Sequence, residues 1–508
     1  MAIDEIQDAP VQDPPLDRGA EEEREQEQGQ EQGQEQEQGQ GGGSGRQGAW
    51  SAVRPLLLRV HFYAGILIAP LLFVAAATGL LYALSFQAEK IVYSDELTVA
   101  KVGSSALPLG EQVKAAQAAA PKGEVVAVWP GPDAESTTRV IMESPEVGQD
   151  RTLTVFVDPY TAEVRGELAT SGDALPLRAW LSEFHANLQL GDFGRNYSEL
   201  AASWLWVVAL GGLALWVGRR RSRKAQLVLP ERKAPAGRRR TLSWHGTVGL
   251  WAVAGLVVLS ATGLTWSKYA GENIGQLQDR LGGATPSVSA AVDGGSGAGA
   301  GGDEHAGHQI GADGKMIMPP RADVGIDEAV EAARAAGVTE SLQITLPAGG
   351  KGYVVKERDK QVPVHLDAVA VDPADGRVVD ELRFADYPVL AKLTRFGIDV
   401  HMGLMFGLVN QLALAALAVG VMFLVFWGYR MWWLRRPTKD RALSVGRPQP
   451  RGAWRRLPVT LLLPLAAVVA LVGWFVPMLG ISLLVFLLVD VALGWVAKRR
   501  RAAAAVSA

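Results

Sequence analysis

The chain has 508 residues, enough for about three domains, and is 48% apolar and 20% charged with a formal charge of −3. Those averages conceal segregation: residues 1–48 carry 13 acids against three bases, the remainder is net +7, and uncharged runs such as 60–88 and 457–489 exceed what a soluble core uses. The runs exclude a simple soluble enzyme, and the absence of cysteine excludes disulfides, thiolate metal sites, iron–sulfur clusters and cysteine nucleophiles.

Residues 1–48 are Glu-, Gln- and Gly-rich repeats with almost no apolar content, so a disordered tail is expected there. No basic stretch followed by an apolar one marks them as a signal peptide, so the first apolar segment is expected to serve as the membrane signal. Six spans are expected: one at about 60–84 within the segment 54–88, then 199–218, 244–267, 404–430, 457–475 and 479–497. The last two come from a stretch, 457–497, that lacks Lys and Arg and has Asp490 as its one charge. Pro477 and Gly480 mark its turn, so it reads as a helical hairpin.

Residues 219–240 hold ten bases and one acid, 430–456 hold nine and one, and 498–501 are KRRR. The loops 219–243 and 431–456, the tail 498–508 and both termini are therefore expected in the cytoplasm. The long loops 89–198 and 268–400 are expected outside; 89–200 is net −8 and 268–400 net −7. Taken as a whole, such loops attract a cationic complex or a free metal more readily than an anion.

Both outer loops read as α/β domains of the same order. In the first, a helix over 110–120 precedes strands at 125–129, 139–142 and 152–157; in the second, a helix over 326–336 precedes strands near 342–346, 352–356 and 366–371. VDPYTAEVRGEL (157–168) and VDPADGRVVDEL (371–382) then supply the turn chemistry of a closing hairpin.

The repetition continues in the membrane. RVHFYAG (59–65) and SWHGTVG (243–249) each place a histidine just inside a span, and each reaches an ATGL sequence, 77–80 and 261–264, 16 residues after that histidine. After each outer domain another histidine precedes the next span, in FHANLQLGDFG (184–194) and VHMGLMFG (400–407). The ordered return of the whole pattern marks an internal duplication. With the orientation above, His61 and His245 lie at the cytoplasmic ends of spans 1 and 3, and His185 and His401 at the outer ends of spans 2 and 4. Two depth-matched imidazole pairs across a four-helix core are the axial ligand set of six-coordinate haem b, about two per chain. Gly65, Gly79, Gly249, Gly255 and Gly263 leave room for a flat macrocycle or for close helix packing. The Trp204/Trp206 and Trp432/Trp433 pairs read as interfacial belt residues.

These motifs in this order resemble the PepSY-associated transmembrane family, also called iron-regulated membrane proteins, over about 54–434. The resemblance implies a duplicated four-helix haem-binding core with two extracytoplasmic PepSY-like domains, set in the bacterial cytoplasmic (inner) membrane, with the hairpin 457–497 outside the common core. It implies haem at His61, His245, His185 and His401, and reductase activity toward a ferric siderophore or other ferric complex at the outer face. The second outer motif lacks the Gly-Asp-x-Gly that follows His185. No G-x-G-x-x-G after a strand and no P-loop is present on the cytoplasmic side. The expected donor is then a quinol or a separate cytoplasmic reductase, and the expected partners are these, membrane lipid and the metal complex, with no nucleic acid.

Within a Gly-rich insert at 281–320, His305, His308, Met316 and Met318 form a candidate transient metal site, set against a plain flexible linker. Asp490 reads as a proton-handling group or as a snorkelling or helix-cap acid. The competing function is a non-catalytic PepSY sensor or peptidase-regulating membrane protein. Transport of haem or siderophore is disfavoured, because broken helices and midplane charges are missing.

Overall fold

The computed structural model describes residues 49–506 apart from 149, 220–224, 293–322, 359–360, 362–365, 436–451, 453 and 455–456. The acidic tail 1–48 and the insert carrying His305, His308, Met316 and Met318 lie outside the described residues. In chain order the principal helices are α1 (Ala49–Leu67), α2 (Ala69–Val92), α3 (Leu109–Ala119), α4 (Pro176–Asn187), α5 (Gly191–Arg219), α6 (Arg238–Thr265), α7 (Tyr269–Arg280), α8 (Ile326–Ala335), α9 (Val389–His401), α10 (Leu408–Trp433), α11 (Val459–Phe475) and α12 (Pro477–Val506). Five of them are long and apolar enough to cross a membrane: α2, α5, α6, α10 and residues 477–500 of α12. The apolar helix α11 is shorter, at 17 residues. The chain is thus a helical membrane protein.

The first expected span falls on two abutting helices, broken at Ile68 by Pro70. A proline has no N–H to give to the carbonyl four residues back. Ile66 O, released in this way, accepts instead from the Tyr429 hydroxyl of α10 at 2.8 Å, while Ile68 N to Ala64 O and Leu72 N to Ile68 O carry the ladder across the joint. The bundle is completed by α2 and α6 packing on both α5 and α10. Ser260 ties α6 to α5 by donating to Ala202 O at 2.6 Å.

Both long loops rise from one end of the bundle, and their strands form a single antiparallel sheet of eight: β1 (Glu124–Trp129), β2 (Thr138–Glu143), β3 (Thr152–Val157), β4 (Val164–Thr170), β5 (Leu342–Thr345), β6 (Tyr353–Glu357), β7 (Ala368–Val371) and β8 (Val378–Leu382). The order is β4-β3-β2-β1-β5-β6-β7-β8, two four-stranded meanders joined where Ala127 faces Thr345 and Val128 faces Ile344. Helices α3 and α8 cover one face, closing a core of Ala116, Val128, Val140, Ala329, Ile344 and Val355, each 0% exposed. Asp327 of α8 accepts the backbone N–H groups of Leu109 and Gly110 at 2.6 and 3.0 Å and so caps α3. The two VDP turns form alike: Asp158 Oδ1 accepts from Tyr160 N at 2.9 Å and Asp372 Oδ1 from Ala374 N at 2.8 Å.

At the opposite end the bundle carries Arg54, Arg219, Arg238 and Arg435. The two ends are called here the sheet side and the basic side. The hairpin α11–α12 turns at Val476, where Gly473 and Gly480 meet so closely that a Cβ on Gly480 would stand 2.2 Å from Gly473 O. Among the described residues, polar contacts dock it on the rest of the chain. Asn273 donates to Phe475 O at 2.9 Å, Trp204 Nε1 donates to Ser482 Oγ at 2.8 Å, and Arg59 pairs with Asp490. Trp204 is accordingly buried against α12 and not displayed in an interfacial belt.

Candidate functional site

His61 on α1 and His245 on α6 face one another near the basic side, with ring centroids 6.3 Å apart. His185 and His401 do the same near the sheet side at 6.5 Å. These last two are not on spans. They sit on α4 and α9, short helices that fold back before α5 and α10, and they pack against α2 and α6. The folding back needs left-handed residues: Leu188, Gln189 and Gly191 after α4, and Gly403, Phe406 and Gly407 after α9.

Each ring has its Nδ1 occupied. In the basic-side pair the partners are backbone carbonyls, Val208 O for His61 and Leu424 O for His245, both at 3.1 Å. A carbonyl only accepts, so Nδ1 carries the proton and the Nε2 lone pair is left for a metal. In the sheet-side pair the partners are hydroxyls, Thr78 Oγ1 at 2.9 Å from His185 and Thr262 Oγ1 at 2.6 Å from His401. Thr78 spends its own proton on Val74 O and Ala75 O, and Thr262 on Val258 O and Leu259 O, so both hydroxyls accept from the imidazoles. All four histidines therefore present the tautomer that binds iron or zinc through Nε2. The edge of Trp266 closes on His401 at 5.3 Å.

The glycines of the site divide by role. A Cβ on Gly79 would stand 3.2 Å from His185 Cε1, one on Gly263 3.5 Å from His401 Cε1, and one on Gly212 2.9 Å from His61 Cε1. Gly65 and Gly428 face space in which a Cβ meets nothing within 4 Å, Gly249 is in ordinary contact with Leu424, and Gly255 is pressed against Leu417 in helix packing. The threonines and the residue after each come from the two ATGL sequences, Thr78-Gly79 and Thr262-Gly263. That motif supplies both the hydrogen-bond partner and the clearance for one histidine of the pair, roles that its use as a repeat landmark does not reveal. Gly212 and Gly428 stand 216 residues apart, as do His185 and His401, and the repeat spacing is the signal that marks them.

Between His61 and His245 and the basic side lies a cavity of about 290 Å³, near the lower end of ligand pockets, about 300–1,000 Å³. Its walls are mostly apolar, with Trp216, Tyr429 and Trp432 among them, and among the described residues its charged lining is cationic: Arg54, Arg219, Arg238 and Arg435 contribute and no carboxylate does. Such a lining suits a large apolar ligand with an anionic end. Among the described residues, three or more His, Cys, Asp or Glu side chains nowhere cluster as they would to hold a bare ion.

Asp490, the one charge of residues 457–497, is neither snorkelling nor capping a helix: it lies against Arg59, two residues from His61, and Arg59 is 5% exposed. The family model described as the PepSY-associated TM region matches residues 58–435, from just before His61 to Arg435 at the mouth of the cavity. A search of curated proteins gave no significant match.

Proposed function

The chain belongs to the PepSY-associated TM region family, and on that premise we propose that it is a b-type di-haem electron-transfer protein of the bacterial cytoplasmic membrane. It delivers electrons on the sheet side to a ferric siderophore or other ferric complex. The observation that carries this reading is the spacing of the imidazole pairs. An iron held by two imidazoles puts the ring centroids about 6.3 Å apart, two bonds of ~2.0 Å and two nitrogen-to-centroid distances of ~1.15 Å. The pairs stand at 6.3 and 6.5 Å. The donor set adds support: four Nε2 lone pairs are free, and no cysteine is present for covalent attachment. The arginines of the cavity match the carboxylates that haem b carries.

Bound at the two pairs, haem supplies reversible one-electron storage at two depths of a hydrocarbon layer about 30 Å thick. The chain's own residues do the rest. Val208 O, Leu424 O, Thr78 and Thr262 fix the orientation and tautomer of the four rings, a second-shell contribution commonly worth about 10–100-fold in metal affinity. Leu58, Leu242 and Val421 line the basic-side cavity and exclude water. The basic side faces the cytoplasm and receives electrons from a quinol or a separate reductase.

The protein is purified from cells supplied with haem. About two haems per chain are expected, all extractable with acid–acetone and giving a protohaem pyridine adduct. His61→Ala or His245→Ala removes mainly the basic-side haem, and His185→Ala or His401→Ala mainly the sheet-side one. Pre-reduced protein under anaerobic conditions is then oxidised by a ferric siderophore in stopped flow, and this is lost in His185→Ala and His401→Ala. A folded protein without a Soret band sinks the reading and leaves the sensor alternative. Oxidation by copper(II) or a quinone but no ferric complex keeps electron transfer and replaces the acceptor.

A further inference from the structure

The sheet has one face covered by α3 and α8 and another turned toward the bundle. On that second face, Trp129 of β1, Arg139 of β2 and Phe156 of β3 are direct cross-strand partners, so their side chains stand in a row. Phe156 is 0% and Trp129 7% exposed, and Arg139 between them is half-buried. Two of its polar groups are unanswered. Trp129 Nε1 has no hydrogen-bond partner. The Arg139 guanidinium lies 5.6 Å over the Phe156 ring and makes no hydrogen bond or ion pair among the described residues. A buried indole N–H and a half-buried guanidinium are both groups that ordinarily find acceptors.

The neighbours sharpen the imbalance. Arg358 lies 3.8 Å over the Trp129 ring and donates to Asp173 Oδ1 at 2.9 Å. Arg178 of α4 donates to Asp173 O at 2.6 Å and to Glu89 Oε2 at 3.1 Å. Among the described residues, Arg358 thus engages the Asp173 carboxylate and Arg178 that of Glu89, and no hydrogen bond ties Arg139 to either. Burial and the adjoining Arg358 and Arg178 pull its guanidinium down to about 10. The face is also continuous with the sheet-side histidines. Arg178 stands on the helix of His185 and lies 4.6 Å over Phe86, and Phe86 lies against Gly403, two residues after His401.

We propose that the bundle-facing side of the sheet, through Trp129 Nε1 and the Arg139 and Arg358 guanidinium groups, binds the electron acceptor as an anionic, carboxylate-bearing metal chelate. The proposal rests on the electron-transfer reading for the ligand's role, though not for its binding. It reverses locally what the loops' net negative charge implies, because a site selects through the few groups that touch the ligand and net charge only steers its approach.

The test is equilibrium dialysis of gallium(III) citrate, a redox-inert carboxylate chelate, against the full haem-loaded chain in phosphatidylcholine nanodiscs. Loss of a charge-assisted bond in Arg139→Gln raises Kd about tenfold or more. Trp129→Phe, which keeps the ring packing and deletes only the N–H, raises it about fivefold. Arg139→Lys stays between wild type and Arg139→Gln, and wild-type binding weakens with added salt. Equal Kd in wild type, Arg139→Gln and Trp129→Phe, with melting temperatures preserved, overturns the proposal, as does an absence of binding in wild type at millimolar chelate. If Arg139→Gln changes only the retention of phosphatidylglycerol in mixed nanodiscs, the face is a lipid-headgroup site and the proposal is likewise overturned. Failure of the haem reading is distinguished by the Soret band of the same samples, since gallium citrate binding involves no electron transfer.

Discussion

Replacing Thr262 by valine conserves shape and deletes one oxygen. In the native protein that oxygen accepts from His401 Nδ1 at 2.6 Å and donates to Val258 O and Leu259 O. A methyl in its place leaves the imidazole N–H without an acceptor, an omission that costs about 1–3 kcal/mol for a buried donor. The ring also loses the partner that holds its proton on Nδ1 and leaves Nε2 open for the proposed haem. Loss of such a partner lowers metal-site affinity about 10–100-fold, equivalent to about 1.4–2.8 kcal/mol. Thr78→Val does the same to His185, through a bond of 2.9 Å, so its effect is the smaller of the two. The assay is haem retention during dialysis against apomyoglobin, with redox titration resolving the two haems. Only the sheet-side haem is affected, and Thr262→Ser restores it. The basic-side pair supplies the internal control, because its acceptors are carbonyls that no side-chain substitution removes. Unchanged retention and midpoint potentials in both valine variants, or an equal change at both haems, refutes the assignment of the threonines as ring-positioning groups.

Three further outcomes are expected. Asp490→Leu removes the carboxylate paired with the buried Arg59 and lowers stability by about 3–5 kcal/mol, read as a fall in detergent melting temperature, while Arg59→Met with Asp490→Leu recovers most of the loss. Tyr429→Phe leaves Ile66 O unanswered at the Pro70 joint and costs about 1–3 kcal/mol, measured the same way. Single cysteines at Ser104 and Ser287 label with an impermeant reagent in intact cells and one at Ser222 does not; labelling at Ser222 alone inverts the orientation.

The helices and strands were largely readable because their periodicities are local. The outer-domain helices and the strands at 125–129, 152–157 and 342–346 fall within a residue or two of α3, α8, β1, β3 and β5. The histidine pairing was readable too, since the repeat puts equivalent residues at equivalent depths. What escaped is non-local. Nothing in EVVAVW or LQIT announces that these strands pair with each other, because any apolar strand can present an edge. The separation of α4 and α9 from the spans depends on left-handed Leu188, Gln189 and Phe406, residues that do not advertise that conformation as glycine does. Trp204 looked interfacial by composition and is buried only because α12 returns against α5. The orphan donors at Trp129 and Arg139 come from cross-strand register, which the chain order does not display.

The central strand pair has a meaning for how such a chain can be divided. β1 comes from the first repeat and β5 holds the same place in the second, and they meet antiparallel as equivalent strands do across the dyad of a symmetric dimer. Each histidine pair likewise draws one ring from either repeat. Neither half owns a complete imidazole pair or a finished sheet, so each remains the other's obligate subunit although one peptide chain now joins them. Two genes split between α5 and α6 are expected to give a working protein only when expressed together, as an obligate heterodimer whose affinity resides in the strand pair and the packed helices. A substitution at one histidine is never confined to one repeat, because the ring that faces it is encoded in the other.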